Sequence, residues 1–228
     1  MLIINIGQLA GIAPEGVLRK QGAEMSDTGI LHDAWLRIED GRIAGFGAMS
    51  QHPASEAQTI DARGGLLIPA FCDSHTHIVF AGSREGEFQD KIAGLSYGQI
   101  AARGGGILNS SDLLGRTSED ELFSQSMTRV REMMAGGTGS IEIKSGYALN
   151  PSGEMKMLRV AARIRQAVPA LVRSTFLGAH AVGRGYSHDS YVEAVIGMMG
   201  EAAVLADFVD VFCDEGFFTP EDTGRILA

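Results

Sequence analysis

Thiols are scarce in this sequence: Cys72 and Cys213 are the only two cysteines among 228 residues, and they stand far apart. No disulfide framework can be built from them, so reduced thiols and an intracellular setting are the expectation. Long apolar runs are missing as well. The opening MLIINIGQLAG has neither the basic head nor the extended apolar stretch of a signal peptide, and no uninterrupted apolar segment approaches the length that spans a bilayer. Positive charge is in deficit, with 19 Lys and Arg against 28 Asp and Glu and a formal net charge of -9. Nucleic acid and anionic membrane surfaces would be repelled at long range, so neither is expected as a partner. A cytoplasmic protein acting on a small-molecule substrate is the expectation left.

What is present suits a globular chain. Hydrophobic residues make up 45%, charged residues 21%, and glycine occurs 30 times, a balance that permits a sizeable core joined by many tight connections. Residues 1–62 hold short alternating segments. Ala34-Trp35-Leu36-Arg37-Ile38, the turn Glu39-Asp40-Gly41 and Arg42-Ile43-Ala44-Gly45-Phe46 read as a hairpin, and Thr59-Ile60-Asp61-Ala62 as a further strand. A small β domain is expected there. From residue 63 to 228, short apolar runs alternate with amphipathic helices, the signature of βα units around a parallel sheet. Strands are expected at 66–73, 139–144, 171–178 and 208–213. Ser118 with Glu121 predicts a capping box opening a helix that ends near Gly136-Gly137, Asn150-Pro151 a helix through Val168, and residues 188–205 a third. Their methionines, Met155 and Met157 among them, read as core filling. Thr219-Pro220-Glu221-Asp222 opens a last helix. Four βα units are half of what a closed (β/α)8 barrel of roughly 250 residues requires.

The strongest chemical signal is Asp73-Ser74-His75-Thr76-His77, where an apolar strand runs into His-x-His. Two residues apart on a strand, both imidazoles face one way and reach a common metal ion. Cys72 lies within the strand, and alternation turns it away from Asp73, His75 and His77, against a nucleophile role. Gly104-Gly105-Gly106 is no phosphate loop, because no Lys-Ser/Thr follows it; a loop shaped over the site is the expectation. His32, His52 and His188 read as surface residues.

The segment IDARGGLLIPAFCDSHTHIVFAG resembles the entry motif of amidohydrolases, with Ala70 where that superfamily usually has glycine. The stretches from Phe80 to Phe88, Gly104 to Ile107, Glu142 to Tyr147, Thr175 to His180 and Val209 to Cys213 together resemble the imidazolonepropionase family in order and spacing. The resemblance implies an α/β fold, an amidohydrolase-type (β/α)8 barrel of the TIM type with only its first four βα units present, preceded by a small β domain that is composite in the family. It implies one Zn or Fe ion held in part by His75 and His77. It further implies that Arg84 holds the substrate propionate, that Tyr147 lines the pocket, that His180 contacts the ring as a catalytic and binding residue, and that Tyr97 is a second pocket tyrosine. The reaction implied is hydrolytic opening of the cyclic amide of 4-imidazolone-5-propanoate to N-formimidoyl-L-glutamate, in histidine degradation.

These assignments also make physical sense. The Arg84 guanidinium offers a planar pair of donors matched to a carboxylate, and His180 ends an apolar strand among small residues. A third metal-binding histidine and an aspartate come from later strands in the family, so these 228 residues are expected to be inactive alone, and a homo-oligomer is compatible with them. Two rivals stand beside this reading. A heterocycle deaminase of the same superfamily would share His75 and His77 without needing Arg84, and a truncated half-barrel would be inert apart from self-association.

Overall fold

Asp40 and Gly41 both take positive φ, 49° and 72°, the two-residue turn that matches the right-handed twist of flanking strands. In the computed structural model, which describes residues 1–54, 58–96, 99 and 105–228, this turn joins β2 (Leu31–Glu39) to β3 (Arg42–Ala48) as an antiparallel hairpin. The central strand of the sheet is β1 (Leu2–Leu9), which pairs antiparallel with β2 and parallel with both β4 (Thr59–Asp61) and β5 (Leu66–Leu67). Periodicity hid β1. Its register shifts between Ile3 and Ile6, where Asn5 takes φ 51°, so its inward positions Leu2, Ile6 and Leu9 break the alternation of two. Ile6 and Leu9 pack with Ala34 and Leu36 into the core of this first compact unit, Met1–Ala70.

The second unit, Phe71–Ala228, is a parallel sheet in the order β6 (Phe71–Thr76), β7 (Thr138–Lys144), β8 (Leu171–Ala179), β9 (Phe208–Val211). The strand expected over 66–73 is thus two elements: β5 in the first sheet and β6 in the second. Between them Pro69 has no N–H to give a ladder, so pairing stops and restarts. Helices α1 (Glu85–Ile92), α2 (Ile107–Arg116) and α3 (Glu119–Ala135) lie between β6 and β7 in the chain. α4 (Pro151–Ala167) connects β7 to β8, α5 (His188–Leu205) connects β8 to β9, and α6 (Pro220–Leu227) follows.

Alternation along β7 divides the sheet into two faces. Ile141 and Ile143 are buried against Leu122, Met127 and Val130 of α3 and Met157, Val160 and Ile164 of α4. A second cluster joins Phe176 of β8 to Tyr191, Val192, Val195 and Met198 of α5 and Ile226 of α6. Each such side chain contributes about 1.5–3 kcal/mol by leaving water. The opposite, inner face of β7 carries Ser140, Glu142 and Lys144, which line a cavity of about 440 Å³ with Thr175 and Asp210. No described helix is long and apolar enough to cross a membrane.

Ser118 Oγ accepts the Glu121 N–H, but the expected box is only half made: the Glu121 carboxylate accepts instead from the Gln125 amide. Thr219 and Asp222 do form a complete box at α6, and His188, expected at the surface, donates from Nε2 to Asp222 Oδ2 at 2.9 Å. Hydrogen bonds from Thr219 and His188 lower the Asp222 pKa to about 2. A depressed carboxyl adds stability that is complete above its unfolded value near 3.8 and is lost as pH falls through about 2. Asp222→Asn is therefore expected to lose about 0.5–2 kcal/mol of stability at neutral pH, as for other lost caps, and so to melt lower, with the gap closing in acid. Thermal melts of both proteins at pH 7 and near pH 2 check this, and an equal gap at both would refute it.

Candidate functional site

The Asp73 carboxylate accepts the His75 N–H at 3.3 Å, drawing that amide to itself where β6 shifts register against β7 between Asp73 and Thr76. Thr76 then ties back by donating its hydroxyl to the Glu142 carbonyl at 2.6 Å. The two imidazoles that flank Thr76 come together, the His75 and His77 rings lying 5.5 Å apart edge to face. A second register shift, between Phe71 and Cys72, sets Cys72 opposite Ser140. Cys72 lines the inner-face cavity together with Glu142 and Asp210, a cavity that includes neither His75 nor His77.

His77 is the centre of a stack of rings. Tyr147 lies 4.7 Å from it at 14° and His180 lies 5.0 Å from it at 8°, while Phe212 meets His180 edge-on at 5.7 Å. Burial, with His180, His75 and Lys144 nearby, pushes the His77 pKa down to about 4, and burial lowers that of His180. Both rings are neutral near pH 7, the form in which an imidazole can ligate a metal. His77 Nδ1 is buried with no hydrogen-bond partner, as befits a nitrogen kept for a ligand. A neutral His77 with an orphaned nitrogen, beside the His75 ring, fits part of a metal site. Among the described residues, no group of three or more His, Cys, Asp or Glu is arranged to hold an ion.

The loop after β7 brings up Tyr147. Gly146 takes φ +104°, and a Cβ there would meet Leu177 O at 2.8 Å and His180 Cβ at 3.0 Å, so only glycine lets the loop run this close to β8. Its carbonyl faces His180 Nδ1 at 2.9 Å; a carbonyl only accepts, so Nδ1 carries the hydrogen and the lone pair of the neutral ring is on Nε2.

Arg84 caps α1. Its Nε and Nη2 donate to Glu87 Oε2, at 2.9 and 2.5 Å, and Glu87 Oε1 accepts the Gly106 N–H at 2.8 Å. The glycine run thus reaches the site through Glu87, although Gly104 lies outside the described residues. The Arg84 hydrogen bonds also hold the Glu87 carboxyl below its ordinary pKa. A cavity of about 220 Å³ is lined by His77, Phe80, Ser83, Arg84, Ser110 and Tyr147, among others. Four of the sequence candidates are therefore gathered within ring-contact or pocket-lining distance: His77, Arg84 and Tyr147 on the cavity, and His180 stacked behind them. His75 joins through its contact with His77. Tyr97 lies outside the described residues.

Sequence reasoning missed three groups that build this site. Arg129 of α3 donates Nη1 to the Ile78 and Phe80 carbonyls at 3.0 and 2.9 Å, with its guanidinium 3.5 Å above the Phe80 ring, and so holds the segment between His77 and Arg84. Lys144 Nζ bridges Glu142 Oε1 at 2.8 Å and Asp210 Oδ2 at 3.0 Å, linking β7 to β9 across β8. Burial opposes its charge, but the two carboxylates keep its pKa raised. Glu154 of α4 is fully buried behind the Tyr147 loop. Only the last carried a local signal, as an acid in a helix's first turn.

No protein-family model matches the chain. Among curated proteins, the imidazolonepropionase of Christiangramia forsetii is 47% identical over 234 residues, a match that covers 100% of this chain and 57% of that protein. The imidazolonepropionase of Flavobacterium psychrophilum is 46% identical over 232 residues, covering 99% and 56%. The chain spans a little over half the length of the curated relatives it matches. Among solved structures, an amidohydrolase aligns with TM-score 0.57 at 17% identity, over 99% of this chain and 52% of that one. The atrazine chlorohydrolase of Arthrobacter aurescens, solved with zinc, aligns with TM-score 0.57 at 14% identity, over 96% and 48%. At such identities these structures establish the fold alone: an amidohydrolase-type half-barrel of four parallel strands, with a small β sheet before it.

Proposed function

We propose that this chain, which belongs by sequence with the N-terminal part of imidazolonepropionases, supplies the substrate-capturing half of a metal-dependent hydrolase that opens the ring of 4-imidazolone-5-propanoate. The observation that carries this reading is the cavity of about 220 Å³ on which Arg84, Tyr147 and the His77 imidazole converge. A guanidinium at one side and stacked rings at another match a ligand with a carboxylate tail and a planar heterocyclic head.

In this reading Arg84 pairs with the propionate. The guanidinium is engaged with Glu87 Oε2, so an incoming carboxylate exchanges with Glu87 or shares the fork with it. Tyr147 packs against the ring and offers its hydroxyl, whose pKa burial raises, so it stays a donor near neutrality. His180, with Nδ1 committed to the Gly146 carbonyl, presents Nε2 as an acceptor for a ring N–H and so fixes which way the heterocycle lies. His75 and His77 would hold one Zn or Fe ion, completed by ligands from outside these residues. Bound there, such an ion supplies a Lewis acid and lowers the pKa of water. Hydrolysis then adds water across the ring amide, breaks its C–N bond, leaves a carboxylate on carbon and places a proton on the departing nitrogen. The product is N-formimidoyl-L-glutamate.

The test is ligand discrimination by the chain itself. Imidazole-4-propionate, which has both ring and tail, should bind at least ~10-fold tighter than 4-methylimidazole, because charge-assisted hydrogen bonds contribute about 1.5–3 kcal/mol. Cytosine, a ligand suited to a deaminase, should bind no better than 4-methylimidazole. Calorimetric titrations that rank cytosine first, or show no preference for the propionate, would overturn the assignment.

A further inference from the structure

Glu154 has no part in the chemistry above, yet it is 0% exposed, and its carboxyl group, whose pKa burial raises, takes its hydrogen bonds from the Ser145 side chain and from backbone amides. Oε2 accepts the Gly146 N–H at 2.7 Å, and Oε1 accepts the Ala148 and Leu149 N–H groups at 2.9 Å each. A buried carboxylate persists only where donors replace its water, and here the donors come from one loop. Those amides bracket Tyr147 on both sides. Leu149 is held at φ 57°, a conformation that a leucine rarely adopts, with its N–H on the same oxygen. Gly146 is held a second time through its carbonyl, in the next peptide plane, which accepts from His180 Nδ1 at 2.9 Å. One carboxyl group is therefore connected to both candidate ring-binding residues: to Tyr147 through its two neighbours and to His180 through the two peptide units that meet at Gly146 Cα.

We propose that Glu154 is a positioning residue, which fixes the Tyr147 loop and, through Gly146 and its two bonded peptide groups, holds His180 in its Nδ1–H tautomer with Nε2 free to accept from a heterocycle. What the two rings receive rests on the function proposed above; the tether and the tautomer do not. A carboxylate serving only to stabilise the start of α4 would not govern a tautomer on β8, and that difference makes the idea testable.

Heteronuclear NMR of the isotope-labelled chain reads both properties. In the wild type, His180 is expected as the Nδ1–H tautomer, and the Gly146, Ala148 and Leu149 amides should exchange slowly. Glu154→Gln keeps the volume but replaces one acceptor oxygen with an NH2 group that cannot accept. It should leave His180 in a mixture of tautomers and weaken imidazole-4-propionate about 10-fold. Met157→Ala, a cavity in the core between α4 and β7, supplies a control of lowered stability that should keep the tautomer. A folded Glu154→Gln chain with the wild-type tautomer and affinity overturns the proposal. If that variant does not fold, the wild type decides: an Nε2–H tautomer, or fast exchange at the three amides, overturns it equally. A wild type that shows the expected resonances but binds no imidazole-4-propionate counts against the functional reading alone.

Discussion

Arg84→Ala is expected to weaken imidazole-4-propionate binding by about 100-fold, while binding of 4-methylimidazole, which lacks the carboxylate, stays within about twofold. A bidentate charge-assisted pair contributes roughly 2–3 kcal/mol, and every 1.4 kcal/mol is a factor of ten. Arg84→Lys should recover only part of the loss, because an ammonium is a point charge without the planar fork. Glu87 gives the experiment a second arm. Its carboxylate occupies the donors that the propionate needs, so Glu87→Gln, with a weaker acceptor in the same place, should bind the propionate at least as tightly as the wild type. Metal uptake at His75 and His77 should be unchanged in all three variants. Equal propionate affinity in the wild type, Arg84→Ala and Arg84→Lys would remove Arg84 from the site.

The parts of this fold that sequence makes legible are those fixed by neighbours in the chain. The helix over residues 188–205 and that opened by Asn150-Pro151 appear where caps and periodicity put them, because a cap acts within one turn. Strands β7, β8 and β9 fall within a residue or two of expectation, since a buried parallel strand is an apolar run bounded by turns. The α1 helix escaped: it has Gly86 in its first turn and Arg84 at its cap, where no side-chain oxygen is available to announce it. The His-x-His pair stands out because an apolar strand runs directly into it, and its two rings do come within 5.5 Å of each other. The two register shifts in β6, one of them where the Asp73 carboxylate accepts a backbone N–H, are by contrast invisible to a period-two reading. Groups whose partners are remote were beyond reach altogether. Lys144 is 66 residues from the Asp210 carboxylate that it holds, and Arg129 is 51 residues from the Ile78 carbonyl, so nothing local in the sequence marks either contact.

A polypeptide limited to these 228 residues is expected to hydrolyse 4-imidazolone-5-propanoate at least about a thousandfold more slowly than when it is mixed with a polypeptide spanning the part of its relatives that lies outside the match. The proposed ligands His75 and His77 number two where zinc and iron hydrolase sites use three or more, and no described group of three or more potential ligands stands ready to hold an ion. Weak metal retention forfeits the several kcal/mol that metal activation of water contributes, at 1.36 kcal/mol per decade of rate. The sheet itself argues the same way. β6 and β9 are its two ends, each paired on one side only, and the inner face leaves Leu171 and Phe208 more than half exposed. Lys144, Glu142 and Asp210 lie on that same face, so a second layer of strands would bury both the apolar rim and the charged cluster and stiffen the strand ends that carry the histidines. Turnover measured with added Zn or Fe, beside the metal content of the repurified chain, reads both halves of the argument. Rates from the chain alone that equal those of the mixture would mean that the two histidines, with ligands from a second copy or from other residues of this chain, already make a complete centre.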